Sequence, residues 1–344
     1  MEIETKCPKT ADLRAFALGE ISDERLEAIA AHLETCASCE AKLVDFDQLE
    51  DDLISGLRGL PIDRLADGPV RLDKFELRQE IGSGSFGSVF RARDLELDRD
   101  VAVKIGHAGH LAGKEEVAAF LREAQAAAQL SHPNIVAIHD SGQTPEGVCF
   151  LVSGFIEGDT LEGVLGQKAY EPRQVAELVA TLAEALGYAH RNNVIHRDIK
   201  PANILIDESG APHVADFGLA KRLRSDQTLA TNGKIMGTPA YMSPEQARDS
   251  HDVDARADVY SLGVILYEML TGERPFQGGH RMVLLQVLED EPRPPRGLTE
   301  RIPKDLETIC LKAMAKSRVS RYASAGDLAA DLRRFLAGDA ITAR

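Results

Sequence analysis

HRDIKPAN occupies residues 196–203, and its reading decides the fold. Asp198 and Asn203 stand five positions apart around Pro201. Proline carries no backbone donor and disfavours helix at the residue before it, so the stretch reads as a loop presenting an acid and an amide together. Downstream, Asp216 opens DFG, 216–218, after the short apolar run HVA. An acid beside a glycine turn is a common position for a hard cation with oxygen ligands. Either motif alone would read as a surface loop. Their joint occurrence, in this order and with the elements upstream, does not.

Upstream, EIGSGSFGSV runs from Glu80 to Val89, with Gly82, Gly84 and Gly87 in the pattern G-x-G-x-x-G-x-V. Glycines let backbone N–H groups approach phosphate oxygens with no side chain in the way. A dinucleotide fold would place a helix after such a loop. Here the strand-like SVFRARD follows, so the loop belongs to a hairpin. VAVKI, 101–105, is the next strand; period two puts Val101, Val103 and Ile105 on one face and Ala102 with Lys104 on the other. A small alanine beside a lysine suits a flat ligand. FLREAQAAAQL then reads as a helix with Phe120, Glu123, Ala127 and Leu130 on one stripe. A glutamate in an apolar stripe needs a partner, and Lys104 is the candidate. Strand-like alternation extends to about residue 105, a helix is expected near 115–130, and strand returns near 148–153. The remainder reads as mainly helical.

These motifs, with GTPAYMSPE at 237–245 and DVYSLG at 258–263, resemble a eukaryotic-type Ser/Thr protein kinase domain over residues 75 to about 337. The resemblance implies an α+β, two-lobed fold, with a β-rich N-lobe and a helical C-lobe. It implies ATP and magnesium as cofactors and protein Ser/Thr hydroxyls as acceptors. The implied nucleotide contacts are Ile81, Gly82, Ser83, Gly84, Ser85, Phe86, Gly87, Val89, Ala102, Lys104, Phe155, Ile156, Asn203, Leu205 and Asp216. Of these, Asn203 and Asp216 are the implied magnesium ligands, and Lys104 is expected to pair with Glu123. Asp198 is implied to accept the acceptor's proton and Lys200 to neutralise the transferring group. Glu245 with Arg321 is expected to brace the C-lobe, and Asp258 to hold the catalytic loop's backbone. Arg197 is implied to read a phosphate on the activation loop, where Thr231, Thr228 and Ser225 are candidates. FLVSGFIEG, 150–158, departs from the family: Ser153 and Gly154 stand where a bulky residue and a glutamate are usual. No catalytic position is degraded. The rival reading is a scaffold that binds ATP and magnesium without transferring phosphate.

HLETCASC, 32–39, raises a second chemistry. His32 and Cys36 are four apart, one helix face if the helix extends that far, and Cys39 is a turn further on. Cys7 supplies a fourth ligand for tetrahedral zinc. A unit of ~50 residues also lacks the apolar area to fold securely alone, which a metal remedies. SDERLEAIAAHL, with Ser22 as N-cap candidate and Asp23 and Glu24 in the first turn, reads as a helix. The spacing resembles the zinc-binding domain of bacterial anti-sigma factors; such domains grip a partner protein and some sense thiol oxidation, so the resemblance implies a regulatory or partner-binding unit in bacterial signalling and leaves the two roles open. The domains are therefore drawn as an all-α zinc-binding unit at 1–50, a Gly- and Pro-bearing linker at 51–73, and the kinase domain at 74–340.

The chain has 344 residues, a net charge of −15 and five cysteines, three of them near the N-terminus. The acidity argues against nucleic acid as a partner, since that surface calls for a basic patch. No apolar run approaches a membrane span. The odd, crowded cysteines suit a reducing cytoplasm rather than a disulfide framework. Relatives are often longer, and the sequence leaves open whether this chain is a piece of a longer protein.

Overall fold

The computed structural model describes Cys7, Pro8, His32 and Cys36, then residues 70–84, 87–106, 114–144, 148–166, 170–217, 239–248 and 253–343. These fall into two compact units, the first holding the four N-terminal residues and the second everything from Val70 onward. The expected helix at 22–33, apart from His32, and residues 51–69 of the expected linker lie outside the described residues.

The second unit begins with a six-stranded antiparallel sheet: β1 (Val70–Leu72), β2 (Phe75–Gly84), β3 (Gly87–Asp94), β4 (Arg99–Gly106), β5 (Ile138–Gln143) and β6 (Cys149–Gly154), in spatial order β1-β2-β3-β4-β6-β5. β1 pairs Val70 with Leu77 and Leu72 with Phe75, so the last residues drawn as linker belong to the sheet. Three residues are too few for alternation to show in the sequence. On β4, Val101 and Val103 are fully buried while Ala102 and Lys104 are not, the expected period-two split. Helix α1 (Lys114–Ala128) packs on the β5–β6 edge, where Ala124 meets Leu151 of β6 with Phe120 and Ile138 alongside.

The helical lobe follows. A small sheet of β7 (Gly158–Thr160), β8 (Ile204–Asp207) and β9 (Pro212–Val214) lies beside α2 (Leu161–Leu165) and α3 (Pro172–Arg191). Pro172 starts α3, and Glu171 with Gln174 forms a capping box, so the frame is set locally. Val175, Val179, Leu182 and Leu186 on its inner face are fully buried, each contributing about 1.5–3 kcal/mol. After α4 (Pro244–Arg248) comes α5 (Arg256–Thr271), apolar nearly all round and hence central. α6 (His280–Glu289), α7 (Lys304–Ala313) and α8 (Ala325–Ala337) complete the lobe, with α8 along α3.

The chain does not leave the domain at residue 340. Asp331, fully buried, accepts from Thr342 N (2.7 Å) and Oγ1 (2.7 Å), Ala343 N (2.8 Å) and Tyr322 Oη (3.0 Å). A buried carboxylate needs such donors, and here the tail supplies three of them. No helix of the described residues is long and apolar enough to cross a membrane.

Candidate active site

The catalytic loop is built around a buried carboxylate. Asp258, near the start of α5, has no exposed side-chain surface. Its Oδ1 accepts from Arg197 N at 2.8 Å; its Oδ2 accepts from His196 N at 2.9 Å and contacts His190 Nε2 at 2.8 Å. Burial works against its charge, but His190, His196 and the backbone donors outweigh that and hold its carboxyl below the usual range. The expected role of Asp258 is thus met, and α3 adds a partner, His190, that the motifs did not reveal.

This anchoring holds a strained backbone. Arg197 has φ +67° and Asp216 φ +61°, in the region that glycine favours. Each such residue costs about 1–3 kcal/mol and persists only where its surroundings over-determine it. Gln246 Nε2 donates to Arg197 O at 2.7 Å, and His196 Nε2 lies 2.8 Å from Ala215 O, beside Asp216. The His196 ring meets the Phe217 ring at a centroid distance of 4.8 Å, tilted by 59°, and Phe217 is 2% exposed. The two motifs therefore share one core.

The chemistry-bearing side chains converge on this frame. Lys200 Nζ donates to Asp198 Oδ2 at 2.9 Å, and Asn203 Nδ2 donates to the same oxygen at 3.1 Å and to Asp198 O at 2.8 Å. From β4, Lys104 Nζ donates to Asp216 Oδ2 at 2.7 Å. Asp216 is partly buried, with 34% of its side chain open to solvent. Burial pushes its carboxyl up; the Lys104 ammonium, with His196 and Lys200, pulls it further down, so it lies below the usual range. Arg197 is half-buried: burial lowers its guanidinium, opposed by Glu123 on α1 and by Asp258. Its Nε is buried with no hydrogen-bond partner among the described residues.

Above the loop lies the ligand face of the sheet. The pairs Val89–Lys104, Ala102–Ser153 and Lys104–Leu151 put Val89, Ala102, Lys104 and Ser153 on one face. The Gly-rich segment is the β2–β3 hairpin, Ser83 opposite Ser88, as the missing helix signal required. Ile81 on β2 is 45% exposed. Phe155 follows β6, its ring 4.6 Å under the Arg91 guanidinium, and Ile156 is next in chain. Leu205 on β8 is half-buried, while Ile204 before it is in the core. Ser85, Phe86, Gly218, Ser225, Thr228 and Thr231 lie outside the described residues. Arg321 clamps Glu245 with nitrogen–oxygen distances of 2.6 and 2.8 Å, as expected, and its guanidinium stacks 4.9 Å over Tyr260.

In the N-terminal unit, Cys7 Sγ and Cys36 Sγ are 3.9 Å apart, and with a His32 nitrogen their donor atoms all lie within 4.8 Å of one another. Tetrahedral zinc with its usual Zn–S bonds would set two thiolates roughly 3.8 Å apart, so the geometry fits the ion. Cys39 lies outside the described residues. Among the described residues, Cys7, Cys36, Cys149 and Cys310 form no disulfide.

A sheet-rich lobe joined to a helical lobe, with a strained loop–carboxylate core and a lysine–aspartate pair, defines the protein kinase fold. The family description "Protein kinase domain" matches residues 75–326, and the chain belongs to that family. Residues 10–39 match "Putative zinc-finger". The chain is 42% identical over 275 residues to the serine/threonine-protein kinase PknB of Mycobacterium leprae, covering 78% of this chain and 44% of that protein. It is 41% identical over 274 residues to PknB of Mycolicibacterium smegmatis, with the same coverage of 78% and 44%. It therefore spans under half the length of these relatives. The crystal structure of the Mycobacterium tuberculosis PknI kinase domain shares the fold, with a TM-score of 0.64 and 23% identity, over 77% of this chain and 98% of that one.

Proposed function

We propose that this chain is an ATP- and magnesium-dependent kinase of Ser/Thr residues in proteins, itself included, whose N-terminal unit holds zinc and serves as a regulatory or partner-binding domain in a bacterial, cytoplasmic signalling context. The observation that carries the kinase reading is the Asp198 carboxylate, held by Lys200 and Asn203 on a loop that shares its core with Asp216. Phosphoryl transfer asks chiefly for positioning and charge neutralisation, and these residues supply both.

The hydroxyl oxygen of the acceptor forms a bond to the γ-phosphorus of ATP as the bond to the β,γ-bridging oxygen breaks. Asp198 orients that hydroxyl and takes its proton, and ADP leaves. Lys200 offsets charge on the transferring group. Lys104 holds the α- and β-phosphates and pairs with Glu123, while Val89, Ala102 and Leu205 enclose adenine and backbone near Phe155 and Ile156 bonds its edge. Asp216, held ionised, and Asn203, whose amide nitrogen serves Asp198 and leaves its oxygen as ligand, form an oxygen donor set suited to magnesium. When bound, the metal neutralises phosphate charge. A phosphate on Thr231, Thr228 or Ser225 would meet Arg197, whose buried Nε supports that reading. The GTPAYMSPE segment would meet the polypeptide around the acceptor hydroxyl.

Purified chain, γ-labelled ATP, magnesium and myelin basic protein test the reading. Label is expected on Ser or Thr of the acceptor; ATP binding without any transfer would make the chain a scaffold. Metal analysis is expected to find one zinc per chain, held by Cys7, His32, Cys36 and Cys39 and lost in Cys36→Ser. A metal-free preparation with a protease-resistant N-terminal unit would refute the zinc assignment.

A further inference from the structure

Lys316 lies in the loop after α7, outside every kinase motif, yet two supports meet in it. Its Nζ donates to Gln286 O at 3.0 Å and Val287 O at 2.7 Å, carbonyls in the last turn of α6. The ammonium also sits 4.2 Å over the Phe276 ring. A cation at a helix C-terminus adds a donor to the last carbonyls and complements the dipole there; Gln286 O also accepts from Asp290 N at 3.0 Å. On its backbone side, Lys316 O accepts from Arg321 Nη2 at 3.1 Å, and Ala315 O accepts from Arg321 Nε at 2.6 Å. That same Arg321 clamps Glu245, the last residue of GTPAYMSPE.

The helix so gripped is not remote. α6 packs against the 3-10 turn Pro239–Tyr241 and against α4, both within or continuing the GTPAYMSPE segment. Val283 and Val287 face inward from α6, 5% and 0% exposed, while Met282 and Leu285 are each 48% exposed on its outer side. One short loop thus fixes the acceptor-side segment twice: through Arg321 and Glu245 at its end, and through Lys316 and α6 along its flank. The charge on Lys316 is set against its surroundings, since burial pushes its pKa down to about 8 while Glu291 and Asp290 pull up and Arg321 pushes down.

We infer that Lys316 is a positioning residue for the protein acceptor, coupling α6 to the 239–245 segment with no part in ATP binding. The inference rests on the kinase reading above. The test measures KM and kcat with myelin basic protein, KM for ATP, and acceptor-free ATP hydrolysis, for the wild-type chain, Lys316→Met and Lys316→Arg. Lys316→Met is expected to raise KM for the acceptor about three- to tenfold, leaving KM for ATP and acceptor-free hydrolysis within twofold. Lys316→Arg, which keeps the cation, is expected to recover at least half of that loss. An unchanged acceptor KM in a folded Met variant overturns the inference. So do equal losses on the ATP and acceptor sides, or a Met variant that melts below the assay temperature, either of which makes Lys316 a general stability residue. Wild-type chain that transfers no phosphate would instead defeat the kinase reading itself.

Discussion

The loop at 196–203 and the Gly-rich strand ends at 82–84 and 87–89, proposed to serve one cleft, are held in opposite ways. The loop is held by side chains: Asp258 takes two of its N–H groups, Gln246 its carbonyl, and Phe217 the ring of His196. The hairpin is held by backbone pairing, with Ile81 and Ser83 exposed. At its closing end Gly87 has φ +152°, and a Cβ there would lie 1.9 Å from Ile105 O. The loop therefore fails when an atom or charge is removed; the hairpin fails when one is added. Proton transfer needs a carboxylate fixed in place, whereas covering phosphates needs bare N–H groups.

The largest effect tests the loop's chemistry. Asp198→Asn keeps the hydrogen bonds of an oxygen but removes the proton acceptor, and kcat is expected to fall at least ~100-fold with ATP affinity kept. Near-normal turnover in a steady-state assay would move the base elsewhere.

Next comes the loop's anchor. Asp258→Asn leaves one oxygen to serve donors that now use two, and breaking such a buried ionic network costs about 3 kcal/mol, read by urea unfolding. Because its folded carboxyl is held below the usual range, the contribution of Asp258 is complete above the unfolded value of about 3.9 and is lost only as pH falls through the lower folded value. The deficit of the variant is thus flat from pH 5 to 8 and shrinks in acid. A deficit that varied between pH 5 and 8 would assign it to another titrating group.

Gly87→Ala tests the other half of the comparison. Strain of about 1–3 kcal/mol is expected in the hairpin, seen as weaker ATP binding in calorimetry with a smaller change in kcat. Wild-type affinity would mean that the hairpin yields where the loop does not.

The smallest effect concerns the edge of the ligand face. Ser153 lies directly opposite Ala102, where the family usually carries bulk. ATP analogues enlarged on the adenine amino group are expected to bind the wild type well. Ser153→Met should weaken them by ~1–3 kcal/mol and leave ATP nearly untouched. Equal binding to both forms would show the space to be filled by neighbours.

Much of this was legible in the sequence because the signals are local. Glycine spacing marks the hairpin, Pro201 marks the loop, and period two on β4 pairs Ala102 with Lys104 on the ligand face; each depends only on neighbours a few residues away. The expected Glu245–Arg321 clamp came from resemblance to the family, not from any pattern in these residues. β1 was missed because three residues carry no period, and the tail at 341–343 because its anchor, Asp331, reads as an ordinary helix-surface acid.

What the tertiary structure alone decided are the distant meetings. Lys104 and Asp216 are 112 positions apart, His190 and Asp258 are 68 apart, and Lys316 and Gln286 are 30 apart. Nothing in a local pattern tells a buried carboxylate which histidine it will meet, or a loop lysine which helix end it will cap. Those partners follow from how whole helices and sheets pack, and burial then makes each pairing obligatory, because a charge or backbone group withdrawn from water must find another polar group.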